Sequence, residues 1–485
     1  MKSNKRPDKG FAQEGALTSP RSRAAWNVLN RYHPYRYGAY RTSWAPQLLK
    51  KYRSLNDGKL VSTEQGPDTE SPEEYANRDD GWGRLWSLIS PQVLKAAEDT
   101  HGTTPYAFNA AVVARLLTKR LIEEGSLHMD HPLQRAFSSS VAAEAKLYAH
   151  WACHTLNNRA IFDFTPDLVN MFTRSNVGDA LLNQIHLPAE TVYLHFGVQP
   201  EFPLRGLLSR SVKSISHLTE PDDYQTPSEW KNLKYCLEGA YVSRNSLEPE
   251  GSLEIILIGR PLDSDPLPPP QNFIDSTDES MSHHLPCLAP GLTVQAALIQ
   301  ERDRNEAGHI ATLKRSFELI DDGETLFEDE SALDDYIAQS RQGEIQAHAE
   351  FDKALNLVLN AVLYITAYPD ELDTEYPPTP LEISPLIEKA EGDCLQRETR
   401  RAQAQLEDLG YVKVKFCGRR ITQKARQLAE RNETEGRART FKGRLGTWRW
   451  LDAAKGHFKI SRNVWVRPSP DPTGTKRLTI YEVNG

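Results

Sequence analysis

The sequence predicts an α+β fold in which helices and strands are segregated instead of alternating, and three observations predict it. Between Pro91 and Asn158, apolar residues recur at helical spacing in PQVLKAAEDT, AFNAAVVARLLTKRLIEEG and FSSSVAAEAKLYAHWACHTL. The pattern then changes to β-branched and aromatic runs broken by Pro and Gly, in LPAETVYLHFG and LEGAYVSRNSLEPEGSLEIILIGRP, which reads as antiparallel strands joined by turns. A strongly apolar helix follows in EFDKALNLVLNAVLYITAYPDE, where Leu355, Val358, Leu359, Val362, Leu363 and Ile365 leave almost no polar face. Such a helix belongs in the core of the body, and it is too short to span a membrane.

With 485 residues the chain is too long for one compact core at about 150 residues per domain. The pattern divides it into four parts. Residues 1–60 form a basic, partly disordered arm and 61–186 a helical block. Residues 187–385 form the α+β body, with Pro-rich loops near 261–291 and 368–385. Residues 386–485 combine a basic helix with a small β-rich element. The first 25 residues, rich in Gly, Ser, Pro and cations, are expected to be mobile. RYHPYRYGAYRTSW, from Arg31 to Trp44, interleaves Tyr, Arg and His; it either stacks on bases or packs on the body by its tyrosines.

Charge separates these parts more sharply than hydropathy does. The formal net charge is −8, yet residues 1–60 hold 13 Lys and Arg against 3 Asp and Glu, and residues 411–485 hold 18 against 6. The intervening body therefore carries −30, from −8 − 10 − 12. Basic ends around an acidic body point to nucleic acid, a ribosome or an acidic protein as partner, unless the ends simply pair with the body. No apolar run approaches the roughly 18–20 residues of a membrane span, and the charged start lacks the apolar stretch of a signal peptide, so no membrane partner is expected. Five scattered cysteines with no CxxC pair fit neither a disulfide framework nor a zinc site, and a reducing cytoplasm is the expected location.

Catalytic signatures are scarce. The sequence contains no GxxxxGK[ST], no GxGxxG after a strand, no GxSxG and no HExxH. PDDYQTPSEWK places Asp222, Glu229 and Lys231 in the order of a metal-dependent nuclease, in which two carboxylates hold a divalent cation and a lysine steadies the attacking water. The short gap between the carboxylates disfavours it. HMDH (His128, Asp130, His131) and HHLPC (His283, His284, Cys287) could each supply metal ligands, but both read as solvated histidines in polar loops. Neither a resident metal nor any cofactor is expected, and a binding protein is favoured over an enzyme.

The C-terminal stretch GRLGTWRWLDAAKGHFKISRNVWVRP concentrates the informative residues. Period-2 alternation in TWRWLD, KGHFKIS and RNVWVRP predicts a small sheet whose aromatic residues interleave with cations. Aromatic planes stack on bases and guanidinium groups pair with phosphates. Arg444, Trp448, Arg449, Trp450, His457, Lys459, Arg462 and Arg467 are therefore the candidates for RNA or ribosome contact. Core packing is the competing use of the tryptophans: Trp448 and Trp450 stand open between the two, and Trp465, inside the apolar VWV, is expected in the core.

These residues resemble the closing RRGHW…W.P signature of a type V-A anti-CRISPR family, the second of that class to be named. Arg444, Gly446, Trp448, Trp465 and Pro468 match it, whereas the family's His after Gly is Thr447 here. Earlier landmarks follow in the family's order: KLYAHW resembles its LYxxGAW region, LPAETVYLHF its LP…VYV strand, and LEGAYVSRNSLEPEGSLEIILIG its strand pair. LNLVLNAVLYITAYPDE resembles its apolar helix with a short acidic end. The resemblance covers roughly residues 147–485. It implies a protein that lowers production of a type V-A CRISPR effector, or of another target, by recognising the nascent polypeptide, with loss of the mRNA. The basic aromatic tail would then suit mRNA or the ribosome, and the body would hold the peptide.

Overall fold

The computed structural model describes residues 19–37, 146–147, 149–151, 153–155, 159–204, 235–245, 252–261, 279–286, 291–318, 330–392, 395–423, 446–451 and 462–466. Its frame is a seven-stranded mixed sheet of order β6-β5-β4-β3-β1-β8-β7. Those strands are β1 (Ile161–Phe164), β3 (Thr191–Pro203), β4 (Tyr235–Asn245), β5 (Ser252–Pro261), β6 (Glu279–Pro286), β7 (Asp373–Glu375) and β8 (Val414–Cys417). The expected antiparallel strands are β3, β4 and β5, and their pairing is antiparallel, Tyr193 facing Tyr241 and Tyr241 facing Ile256. The centre differs: IFDF inserts as β1 between β3 and β8 and runs parallel to both. Parallel neighbours require a connection across a face of the sheet, which is why strands far apart in sequence meet here. One sheet thus takes strands from 161–164, inside the expected helical block, and from 414–417, inside the expected C-terminal part.

Two expected loops hold strands. ESMSHHLP, within the Pro-rich 261–291 stretch, forms β6, with Ile255 facing His283 and Glu254 facing His284. The second Pro-rich stretch contains a 3₁₀ turn, Pro369–Glu371, followed by β7 on β8. Backbone pairing with a neighbour already in the sheet overrides the weak strand propensity of these polar segments.

Each face of the sheet has its own core, because side chains alternate along a strand. On one face Phe162, Val192, Leu194, Ala240, Val242, Ile255 and Leu257 meet α2 (Pro166–Thr173), α3 (Val294–Glu318) and α4 (Glu330–Ala367). The apolar helix of the sequence is the second half of α4, where Leu355, Val358, Leu359, Val362, Leu363 and Ile365 are all buried. On the other face Ile161, Tyr193, Tyr241, Ile256, Ile258 and Val414 meet α1 (Pro20–Leu29), helical residues between 146 and 155, α5 (Ser384–Glu391) and α6 (Gln396–Asp408). Helix α1 overturns the expectation of a mobile start over residues 20–25. Ser19 caps it by accepting from the Ser22 N–H at 3.0 Å, Pro20 occupies its first turn, and Ala24, Ala25 and Leu29 are buried. Among the described residues no helix is long and apolar enough to cross a membrane.

Candidate functional site

GTWRWL and RNVWV form an antiparallel hairpin, β9 (Gly446–Leu451) and β10 (Arg462–Val466), in which Trp448 faces Trp465. The two-residue strand β2 (Ser175–Asn176) extends it, pairing parallel with Gly446 and Thr447. The expected small sheet is present, and Trp448 and Trp465 attach it to the body. Their rings stack 6.0 Å apart at 15°, and Phe172 of α2 and Tyr364 and Tyr368 of α4 pack against Trp465 or Trp448. Trp465 is 4% exposed, in the core where the apolar VWV pattern puts it.

Trp448, a candidate for stacking on RNA, lies instead in the core at 3% exposure. Its ring and its N–H are both committed. Trp465 stacks on the ring, Tyr368 packs against it at a tilt with centroids 6.4 Å apart, and Nε1 donates to Asn360 Oδ1 at 2.8 Å. A base would have to displace packed protein to reach it.

Asn360 organises this junction. It is fully buried on α4, and its Nδ2 donates to the carbonyls of Phe172 at 3.3 Å, Ser175 at 3.1 Å and Asn356 at 2.9 Å. Asn356, one turn earlier, donates to Ser175 O at 2.8 Å. The Ser175 hydroxyl lies 3.1 Å from Trp465 Nε1 and accepts its proton, while Tyr368 Oη accepts from the Trp465 backbone N–H at 2.9 Å. Every polar atom the tryptophans bring inside therefore finds a neutral partner, as burial in a low-dielectric core requires. Sequence reasoning passed over Asn360; the signal was a pair of asparagines four apart in an otherwise apolar helix.

Of the other tail candidates, Arg449, Trp450 and Arg462 occupy positions on β9 and β10, opposite Val464, Asn463 and Leu451 respectively. Arg444, His457, Lys459, Arg467 and Pro468 lie outside the described residues, as do Asp222, Glu229, Lys231, His128, Asp130, His131 and Cys287. Among the described residues no group of three or more His, Cys, Asp or Glu is placed to hold a metal. Cys153, Cys236 and Cys417 are buried, and burial pushes the Cys153 and Cys417 thiols well above the usual thiol range.

A second cluster lies on the other face of the sheet, beneath residues 31–37. The tyrosines of RYHPYRY pack on the body: Tyr32, Tyr35 and Tyr37 are all buried. Arg36, 2% exposed, makes an ion pair with Glu238, 1% exposed, and donates from Nη1 to the carbonyls of Asn30 and Arg31 at 2.9 Å each. Arg260 approaches the other Glu238 oxygen at 3.5 Å. Tyr32 Oη donates to Asp163 Oδ2 at 2.8 Å, and Arg31 reaches the same carboxylate at 2.8 Å. Beside them His33 Nδ1 lies 3.1 Å from Tyr241 Oη, and Trp151 Nε1 donates to the Pro34 carbonyl at 2.8 Å.

The placement of Glu238 depends on a β-bulge. Ala240 and Val242 point to the α4 face, so strict alternation would send Glu238 there too. The register between β4 and β5 breaks between Leu237 and Gly239, reversing the alternation. Leu237 therefore enters the α4-side core and Glu238 turns outward to Arg36. Burial works to raise the Glu238 carboxyl, but Arg36, His195 and Arg260 outweigh it and hold the group below the ordinary carboxylate value. Burial lowers His195 and takes His154, whose Nε2 meets Ala160 O at 3.2 Å, down to about 3. The His154 ring is neutral at physiological pH.

A family model for AcrVA2-like proteins, the anti-CRISPR type V subtype A2 family, matches residues 162–468, from the centre of the sheet past the tryptophan hairpin. A solved structure, the crystal structure of AcrVA2, is similar at 13% identity and a TM-score of 0.34, over 79% of this chain and 96% of that one. Curated proteins offer no match. The family match takes in well over half of the chain, including most of β1, all of α4 and both motif tryptophans: the chain belongs to the AcrVA2-like anti-CRISPR family.

Proposed function

We propose that this chain is a cytoplasmic binding protein that lowers production of a type V-A CRISPR effector, or of another translated target, by recognising its nascent polypeptide and promoting loss of its mRNA. The observation that carries this reading is the family match over residues 162–468. The hairpin geometry supports a division of labour within the tail. Trp448 and Trp465 lock the hairpin to α2 and α4, which leaves contact with mRNA or the ribosome to Arg444, Arg449, Trp450, His457, Lys459, Arg462 and Arg467 on and around it.

Co-expression with the effector, reading protein and transcript together, tests the proposal. An effector whose first codons are recoded synonymously should still lose protein and transcript, because its peptide is unchanged. One whose N-terminal peptide is altered should escape. Unchanged levels of both protein and transcript for the unaltered effector would remove the reading for that target.

A further inference from the structure

We infer that the sheet face carrying Asp163, His195, Glu238 and Arg260 is a receptor for a peptide turn with tyrosine and arginine four residues apart, and that the chain's own Tyr32–Arg36 turn occupies it. The inference rests on reading the protein as a binder of peptide segments and assigns a site to that activity.

The receptor is built by the sheet alone. Asp163 of β1 faces His195 of β3, and His195 faces Gly239 of β4, the residue after the bulge that turns Glu238 to the same side. Asp163 and Glu238 are 7% and 1% exposed. Two carboxylates this deep need cationic or hydroxyl partners, because an unpaired buried charge is costly. Among the described residues, Asp163 meets its partners only on the segment, the Tyr32 hydroxyl and the Arg31 guanidinium. Glu238 pairs with Arg36, and among the described residues of the body Arg260 approaches it more loosely at 3.5 Å, with His195 beside it. Between the two carboxylate sites, His195 Nδ1 is buried without a hydrogen-bond partner among the described residues. Without residues 31–37 the face would present two acidic groups beside Tyr193 and Tyr241, a surface made for an arginine and an aromatic hydroxyl.

The segment has the form of a ligand. Its chain turns so that the Arg36 N–H donates to Tyr32 O at 3.3 Å, which brings both side chains to one side. It lies outside the family-matched residues, whereas all four receptor residues lie within them. Its polar attachment is also not what folding alone demands, because apolar residues of similar volume hold a buried interface as well as or better than an ion pair does. What an ion pair adds is selectivity for one sequence and register.

The test uses the full chain and a fluorescent synthetic peptide of residues 27–40. Wild-type protein, its receptor filled, should bind the peptide weakly. Arg36→Glu, which repels its own segment from Glu238 and leaves the receptor intact, should bind it at least about tenfold more tightly, and adding Glu238→Gln should abolish that gain. Equal binding by the wild type and the folded Arg36→Glu variant would overturn the proposal, as would a gain that survives Glu238→Gln. Native-state amide exchange on the wild-type chain covers the case in which Arg36→Glu fails to fold. The Tyr35 and Arg36 amides should exchange at least about tenfold faster than those of β3 and β4; equal protection would make the segment an inseparable part of the core. These assays contain no effector. Loss of peptide binding with effector repression intact would sink only the receptor, and unchanged effector levels with peptide binding intact would sink only the proposed function.

Discussion

The C-terminal hairpin and the N-terminal segment 31–37 are both held to the body by aromatic residues far away in sequence, but by opposite chemistry. The hairpin brings two indoles whose N–H groups meet a neutral amide and a neutral hydroxyl. The segment brings two arginines, a tyrosine hydroxyl and a histidine, and meets two carboxylates and a second tyrosine. Neutral contacts of this kind are indifferent to pH and salt, while ionic ones depend on both. The difference points to a fixed anchor at one end and a condition-sensitive, sequence-selective contact at the other.

The largest expected effect removes the fixed anchor. Trp465→Ala takes out a ring packed on Phe172, Tyr364 and Trp448 and should cost about 3–5 kcal/mol of stability, measured by urea unfolding. A cost below about 1 kcal/mol would mean that the hairpin is not tied to the body through this residue.

Asn360→Leu comes next, because it fills the space but answers none of the hydrogen bonds. It leaves Trp448 Nε1 without its acceptor and strips the amide from the Phe172 and Ser175 carbonyls, so a loss of roughly 1–3 kcal/mol is expected. The same loss should appear at low and high salt, since no charge is involved. A salt-dependent loss would contradict the neutral character of this anchor.

Acid should separate the two regions. His154 is held at about 3 against an ordinary value of 6.5, and His195 is lowered in the same direction, so the unfolded chain binds protons that the folded chain refuses. The stabilisation from His154 is complete above pH 6.5 and is lost as pH falls from there toward 3, by about 1.4 kcal/mol per pH unit, and His195 adds loss in the same direction. Glu238, also lowered, adds loss in the same direction below its ordinary value of 4.5. Unfolding curves between pH 7.5 and 4 should show this slope, and His154→Gln should flatten it while Trp448→Phe leaves it unchanged. An unchanged slope in His154→Gln would move the acid sensitivity elsewhere.

How far the sequence reveals these regions depends on how local their causes are. β3, β4, β5 and the hairpin announce themselves by alternation and turn residues, and the burial of Trp465 follows from the VWV around it. β1 and β6 do not announce themselves. IFDF is four residues long and becomes a strand only because β3 and β8 flank it, and ESMSHHLP is polar and takes its conformation from β5. The receptor face is less legible still, because the single unpaired residue at the β4 bulge decides which way Glu238 points. For Trp448 the alternation was correct, but α4 covers the face on which it lies, and nothing near residue 448 records that Asn360 waits there.

The smallest effect lies inside the ionic region and shows how burial grades it. Arg31 and Arg36 are five residues apart and each pairs with a buried carboxylate, but the Arg31 side chain is 44% exposed and that of Arg36 3%. Water already solvates Arg31, so its pair with Asp163 and its position 5.0 Å from the centre of the Tyr32 ring should together contribute at most about 1 kcal/mol. Removal of Arg31 also leaves Asp163 its bond from Tyr32, so no charge is stranded. Arg31→Ala should therefore shift the urea midpoint only slightly at low salt and not measurably at 1 M salt, where the Debye length is about 3 Å. Arg36→Ala, which takes from the buried Glu238 its closest cation among the described residues, should remain destabilising at both. If the two substitutions instead cost the same, burial would not be what makes this end of the molecule selective.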